Sequence, residues 1–154
     1  MAHPAMPTRR SPLVAERGFT LIELLVAMAA LGILAAIALP AFFEQLARAR
    51  RTDVQATLLE DAAYMQHYYS SHDAYTDTTP PQLPFTSTPR EGSPSYAITL
   101  SVPATDPTSF VLTATRTGAM ASDACGDFTY DNLGRRDLVP GTFAAGRSAE
   151  RCWR

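Results

Sequence analysis

Residues 18–43 read GFTLIELLVAMAALGILAAIALPAFF, and after Glu23 the twenty residues 24–43 carry no charge. A helix rises 1.5 Å per residue, so twenty residues reach about 30 Å, the thickness of a bilayer's hydrocarbon core. The stretch therefore predicts a helix that crosses a membrane. Three residues set it apart from an ordinary span. Glu23 places a carboxylate at its edge, and Gly32 and Pro40, both poor helix formers, lie inside it. A carboxylate drawn well into hydrocarbon costs about 2.5–3.5 kcal/mol on insertion scales, so Glu23 needs a polar surrounding or a positive partner.

The run Gly18-Phe19-Thr20-Leu21-Ile22-Glu23-Leu24-Leu25-Val26, continued by Leu31-Gly32-Ile33-Leu34-Ala35-Ala36-Ile37-Ala38-Leu39-Pro40, resembles the class III N-terminal methylation motif of the type IV pilin family. The motif is shared mainly with the pseudopilins of type II secretion. The resemblance implies that a membrane-embedded prepilin peptidase cuts between Gly18 and Phe19, and that the new Phe19 amine is methylated. It implies that matured subunits leave the membrane and pack by these helices into a filament. It also implies that Glu23 meets the Phe19 amine of its own or a neighbouring subunit, and that the segment between Gly32 and Pro40 loosens on packing. The residues alone say less. Glu23 also suits a helix N-terminus at the membrane interface. Pro40 is tolerated in a membrane helix. Gly32 and Ala36 form a small-xxx-small pair that lets helices approach closely.

Working outward, residues 1–18 read as a polar leader with Arg9, Arg10 and Arg17. A secretory signal peptide has its apolar run before the cut, whereas here the run follows Gly18 and stays with the mature chain. Of the 13 basic and 15 acidic side chains, Arg9, Arg10, Arg17 and Glu16 precede the cut, leaving 10 and 14. That acidic balance argues against general nucleic-acid binding, which rests on phosphate neutralisation. Three arginines flank each end of the span (Arg48, Arg50 and Arg51 on the far side), so charge alone sets no orientation. Cys125 and Cys152, both beyond the span, point to one disulfide and an oxidising compartment. For a chain resembling a bacterial pilin, that compartment is the periplasm, with the leader in the cytoplasm.

Beyond Phe43 the pattern becomes amphipathic. Val54, Leu58, Ala62, Met65 and Tyr69 recur at helical spacing and form one stripe, with Arg50, Arg51, Asp53, Glu60, Gln66 and His67 largely off it. One long helix is expected from about Phe19 to Tyr69, its second half packed on a sheet. Residues 70–94 hold five prolines and read as a surface loop. Tyr96, Ile98 and Leu100 alternate with polar or small residues, as do Phe110, Leu112 and Ala114, so the two runs predict an antiparallel hairpin. Further strands are expected near residues 127–131 and 135–139, joined by Asn132-Leu133-Gly134. Tyr68-Tyr69, Cys125-Gly126 and the terminal Cys152-Trp153-Arg154 resemble PilE-type minor pilins in particular.

No catalytic residue is expected, because no Ser or Cys nucleophile comes with an identifiable base. His67, His72 and Asp73 lack zinc-like spacing. Asp123, Asp127 and Asp131 are oxygen ligands of the kind calcium takes, but without the EF-hand pattern, and no metal or cofactor is expected. Arg135, Arg136, Arg147, Arg151 and Arg154 could offer a basic face, but Asp131, Asp137 and Glu150 are interspersed.

The expected fold is α+β: a long N-terminal helix and an antiparallel sheet of about four strands. The expected divisions are a cytoplasmic leader (1–18), a membrane and filament-core helix (19–44) and a periplasmic head (45–154). Within the head, strands occupy 95–140 and a disulfide loop 125–152. The implied function is a structural, non-enzymatic subunit of a type IV pilus, a PilE-like minor pilin acting in twitching motility or cell adhesion. Its implied partners are other pilin subunits, the prepilin peptidase and methyltransferase, the inner-membrane assembly machinery and the membrane itself. The implied location is the inner membrane, crossed once, and then the extracellular filament. The alternatives are a type II secretion pseudopilin and a DNA-uptake pilin.

Overall fold

The computed structural model describes residues 18–76 and 80–153. The leader up to Arg17, and Arg154, lie outside the described residues.

Helix α1 runs Leu21–His72, 52 residues with Pro40 in its interior. Thr20 caps it: its hydroxyl accepts the Glu23 amide at 3.3 Å and its carbonyl accepts the Leu24 amide at 3.2 Å. The helix ends three residues later than the apolar stripe suggests. Ser70 and Ser71 turn their hydroxyls back onto the carbonyls of His67 and Tyr68, so the last turn is held by polar groups that periodicity does not register. Asp73 then takes φ 55° and gives its amide to Tyr69 O at 2.8 Å, closing the helix in the left-handed region. The chain divides into two compact units, one ending at Pro40 and one beginning at Ala41.

In the second unit a five-stranded antiparallel meander follows: β1 Ser87–Thr88, β2 Tyr96–Ser101, β3 Val111–Arg116, β4 Phe128–Asp131 and β5 Arg136–Leu138. Its register pairs Ile98 with Ala114, Leu112 with Tyr130, and Phe128 with Leu138. Tyr96, Ile98, Leu112, Ala114 and Phe128 thus point to one face and bury against Val54, Leu58, Ala62 and Met65 of α1. The four strands expected are all present. The fifth, β1, lies inside the proline-rich stretch read as loop. It is only two residues long, and it sits on the sheet's edge, where the proline that follows it removes no ladder bond. A four-residue helix, α2 Ala149–Cys152, also interrupts the coil expected after Pro140.

Candidate functional site

Among the described residues, nothing packs against the helix of the first unit. Leu25 is 55% exposed and Ile37 73%, and the other large apolar residues of 19–43 are exposed likewise. A contiguous apolar surface of this kind needs lipid or protein to cover it. Gly18, Phe19 and Glu23 come together with Thr20 around one shallow pocket at the helix start. Glu23 occupies the third position after the Thr20 cap, where an acid suits the helix dipole. Gly32 and Pro40 lie further along α1, away from that pocket. A Cβ placed on Gly18 or Gly32 would meet nothing within 4 Å, so the chain's own fold does not require glycine at either position.

The second unit carries a stapled C-terminal arm. Cys125 and Cys152 are bonded, with 5.7 Å between their Cα atoms. Helix α1 holds both sides of this staple. Arg51 donates from Nε and Nη2 to the two carboxylate oxygens of Asp123, at 3.0 and 2.5 Å, and from Nη1 to Glu44 at 3.3 Å. One turn on, Gln55 donates from Nε2 to the carbonyl of Cys152 at 2.7 Å. Trp153 lies edge-on to Phe128 and donates its indole N–H to Asp137 O. Gly126, at φ 76°, makes the turn close: a Cβ there would sit 2.6 Å from Thr142 Oγ1 and 2.9 Å from Phe143 N.

Arg51 was expected off the buried face, and the structure corrects this: it is only 7% exposed. Residues 51 and 55 continue the row 54, 58, 62, 65 by helical spacing. Polar residues on an apolar row were the available signal of a buried polar contact. The Asp123 hydrogen bonds raise the Arg51 pKa against the opposing effect of burial.

The three aspartates weighed as metal ligands do not converge. Asp123 binds Arg51, and Asp127 accepts the Arg116 amide and Nε at 3.0 and 2.9 Å. Asp131 accepts the amides of Leu133 and Arg135, both at 3.0 Å, and the Arg135 side chain, which shapes the β4–β5 turn. Burial pushes the Asp131 carboxyl up, but the bonds from Arg135 and Leu133 prevail and hold it below the ordinary value. The His72 ring stacks on Tyr68. No group of three metal-ligating side chains occurs among the described residues. The C-terminal arginines also separate: Arg135 lies in the β4–β5 turn and Arg136 opens β5, while Arg147 and Arg151 line a cleft with Glu44, Arg48 and Arg51.

Sequence reasoning also missed Asp61, which is wholly buried on α1. It accepts the Phe85 amide at 3.2 Å through Oδ1, and its Oδ2 has no partner among the described residues. Burial raises its pKa to about 6. The Phe85 amide opposes that rise, Glu60 adds to it and Arg90 opposes it.

A family model described as "Prokaryotic N-terminal methylation motif" matches residues 14–39. One described as "Type IV minor pilin ComP, DNA uptake sequence receptor" matches residues 40–129, more than half of the chain. The type IV major alpha-pilin of Moraxella bovis is 29% identical over 146 residues, covering 90% of this chain and 84% of that protein. The type IV major pilin PilA of Myxococcus xanthus is 41% identical over 62 residues, and the chain spans only 28% of that protein's length. A solved type IV pilin from Shewanella oneidensis is similar at 29% identity and a TM-score of 0.44, covering 65% of this chain and 98% of that one. The two family models adjoin at Pro40 and together cover residues 14–129, and the chain belongs to the type IV pilin family.

Proposed function

We propose that this chain is a minor pilin: a subunit matured by cleavage after Gly18 and methylation of Phe19, and incorporated sparsely into a type IV pilus. Before assembly it is anchored in the inner membrane by one crossing, with its head in the periplasm. Its role is structural and not catalytic. The observation that carries this reading is the contrast within α1. Residues 21–43 have no cover from the other described residues, while the head closes its own core and staples its own C-terminus. A neighbouring subunit's helices would supply the missing cover in the filament, and lipid would supply it before. The match to a minor-pilin model over residues 40–129 supports low abundance. Quantitative mass spectrometry of sheared filaments tests it. The expected result is a substoichiometric chain that begins at N-methylated Phe19. Absence from filaments, or an N-terminus at Met1, would contradict it.

A second reading, a DNA-uptake receptor, is favoured by the description of that same model. The acidic balance after residue 18 and the pairing of Arg51, Arg116 and Arg135 with aspartates weigh against a broad phosphate-binding face. Duplex binding by the mature chain that weakens steeply with salt would favour this reading. No binding at low salt would dismiss it.

A further inference from the structure

The cleft beside the C-terminal arm holds about 440 Å³ and is lined by Glu44, Arg48, Arg51, Arg147 and Arg151 among others. Arg48 and Arg51 share Glu44, at 3.4 and 3.3 Å, and Arg51 is fixed on Asp123. Arg151 gives one N–H to the Gly146 carbonyl at 3.4 Å. The Arg147 guanidinium has no partner among the described residues. Four arginines thus line the cleft with Glu44, two of them paired to it and Arg51 also to Asp123, and positive charge is in excess. Guanidiniums bind phosphate oxygens in pairs, through parallel N–H donors.

Position narrows the ligand. Phe43 ends the uncharged run, and Glu44, Arg48 and Arg51 follow it on the same helix within the second unit. At 1.5 Å per residue, the Cα atoms of Arg48 and Arg51 lie roughly 7.5 and 12 Å beyond Phe43. The headgroup layer outside the hydrocarbon is roughly 5–8 Å deep on each face. Measured along the helix, a span ending at Phe43 therefore sets Glu44 and Arg48, at one end of the cleft, within the headgroup layer, with Arg51 a few ångströms outside it.

We infer that this cleft binds phosphate, and that an anionic phospholipid headgroup fills it while the subunit is in the membrane. The inference rests on the reading of residues 24–43 as a membrane span. One cleft of this volume suits one headgroup. A duplex needs phosphate contacts along a continuous face, and Arg135 and Arg136 are held at the β4–β5 turn instead. Leaving the membrane for the filament would then require release of this lipid.

The test is native mass spectrometry of the full matured chain in detergent, given soluble short-chain phosphatidylglycerol or phosphatidylcholine. The comparison is with the double variant Arg147→Gln, Arg151→Gln. Neither residue belongs to the Arg51–Asp123 pair, and thermal melting confirms that the variant folds. Expected is at least tenfold greater retention of phosphatidylglycerol by the native chain, with the preference lost in the variant. Equal retention of the two lipids overturns the site. Inorganic phosphate or a short duplex binding these arginines more tightly than phosphatidylglycerol overturns the lipid assignment. Because the lipids are soluble, the result does not depend on incorporation into filaments. A chain absent from sheared pili that still shows the preference would refute the pilin proposal and leave the cleft standing.

Discussion

The two halves of α1 obey the same helix geometry and bury opposite amounts of surface. Over residues 54–65 the buried apolar side chains form one row, and Val54, Leu58 and Met65 are wholly buried. Over residues 21–43 the apolar side chains occur all round the helix and remain exposed. The row appears where the covering partner is the chain's own sheet. The row disappears where cover must come from every side, and so from outside the chain. The glycines repeat the lesson. Gly126 is required from within, because a Cβ would strike Thr142 and Phe143, whereas a Cβ on Gly32 would strike nothing.

The largest expected effect is on the buried polar row of the second half. Arg51→Ala leaves Asp123 buried and unpaired, and losing one partner of such a pair typically costs about 3–5 kcal/mol. Urea unfolding of the detergent-solubilised chain should show that loss. A cost below about 1 kcal/mol would mean that the ion pair does not hold the C-terminal arm to α1.

A matched pair of truncations tests the contrast itself. Leu58→Ala should cost about 2–5 kcal/mol of head stability, through lost burial and the cavity left behind. Ile33→Ala, on the exposed half, should leave the head's melting midpoint unchanged. Similar losses for both would break the division of labour along the helix.

Asp61 brings pH into the contrast. Its folded pKa of about 6 stands above the ordinary 3.8, so the folded head favours the protonated form. The stability it contributes is fully present below about pH 3.8 and is lost as pH rises through about 6. Two pKa units correspond to about 3 kcal/mol, an order-of-magnitude figure. Asp61→Asn should therefore raise stability at pH 7 and flatten its dependence between pH 4 and 7. An unchanged slope would show that Asp61 is not a buried titrating group.

Much of this was legible in the sequence because it is local. The stripe at Val54, Leu58, Ala62 and Met65 and the alternation at Tyr96, Ile98 and Leu100 carry their own periods. What escaped is what distance in sequence hides. Arg51 and Asp123 are 72 residues apart, and Gln55 and Cys152 are 97. Strand β1 exists only because Ser87 and Thr88 pair with Ala97 and Tyr96, and two residues have no detectable alternation. The N-terminal motif was plain, but its proposed partners, the peptidase and neighbouring helices, lie outside the chain.

If the exposed half of α1 serves assembly, Glu23 is the residue at which that role shows. In a packed filament core, Glu23 is proposed to pair with a Phe19 amine in a dry setting, whereas in the membrane the helix end can sit among headgroups and water. The measurement is the amount of subunit in sheared pili relative to membranes, for wild type and Glu23→Val. An assembly role predicts normal membrane insertion, an unchanged melting midpoint for the head, and a tenfold or greater drop in filament incorporation. Equal incorporation of both forms would contradict it and leave Glu23 as an acid at the end of a helix.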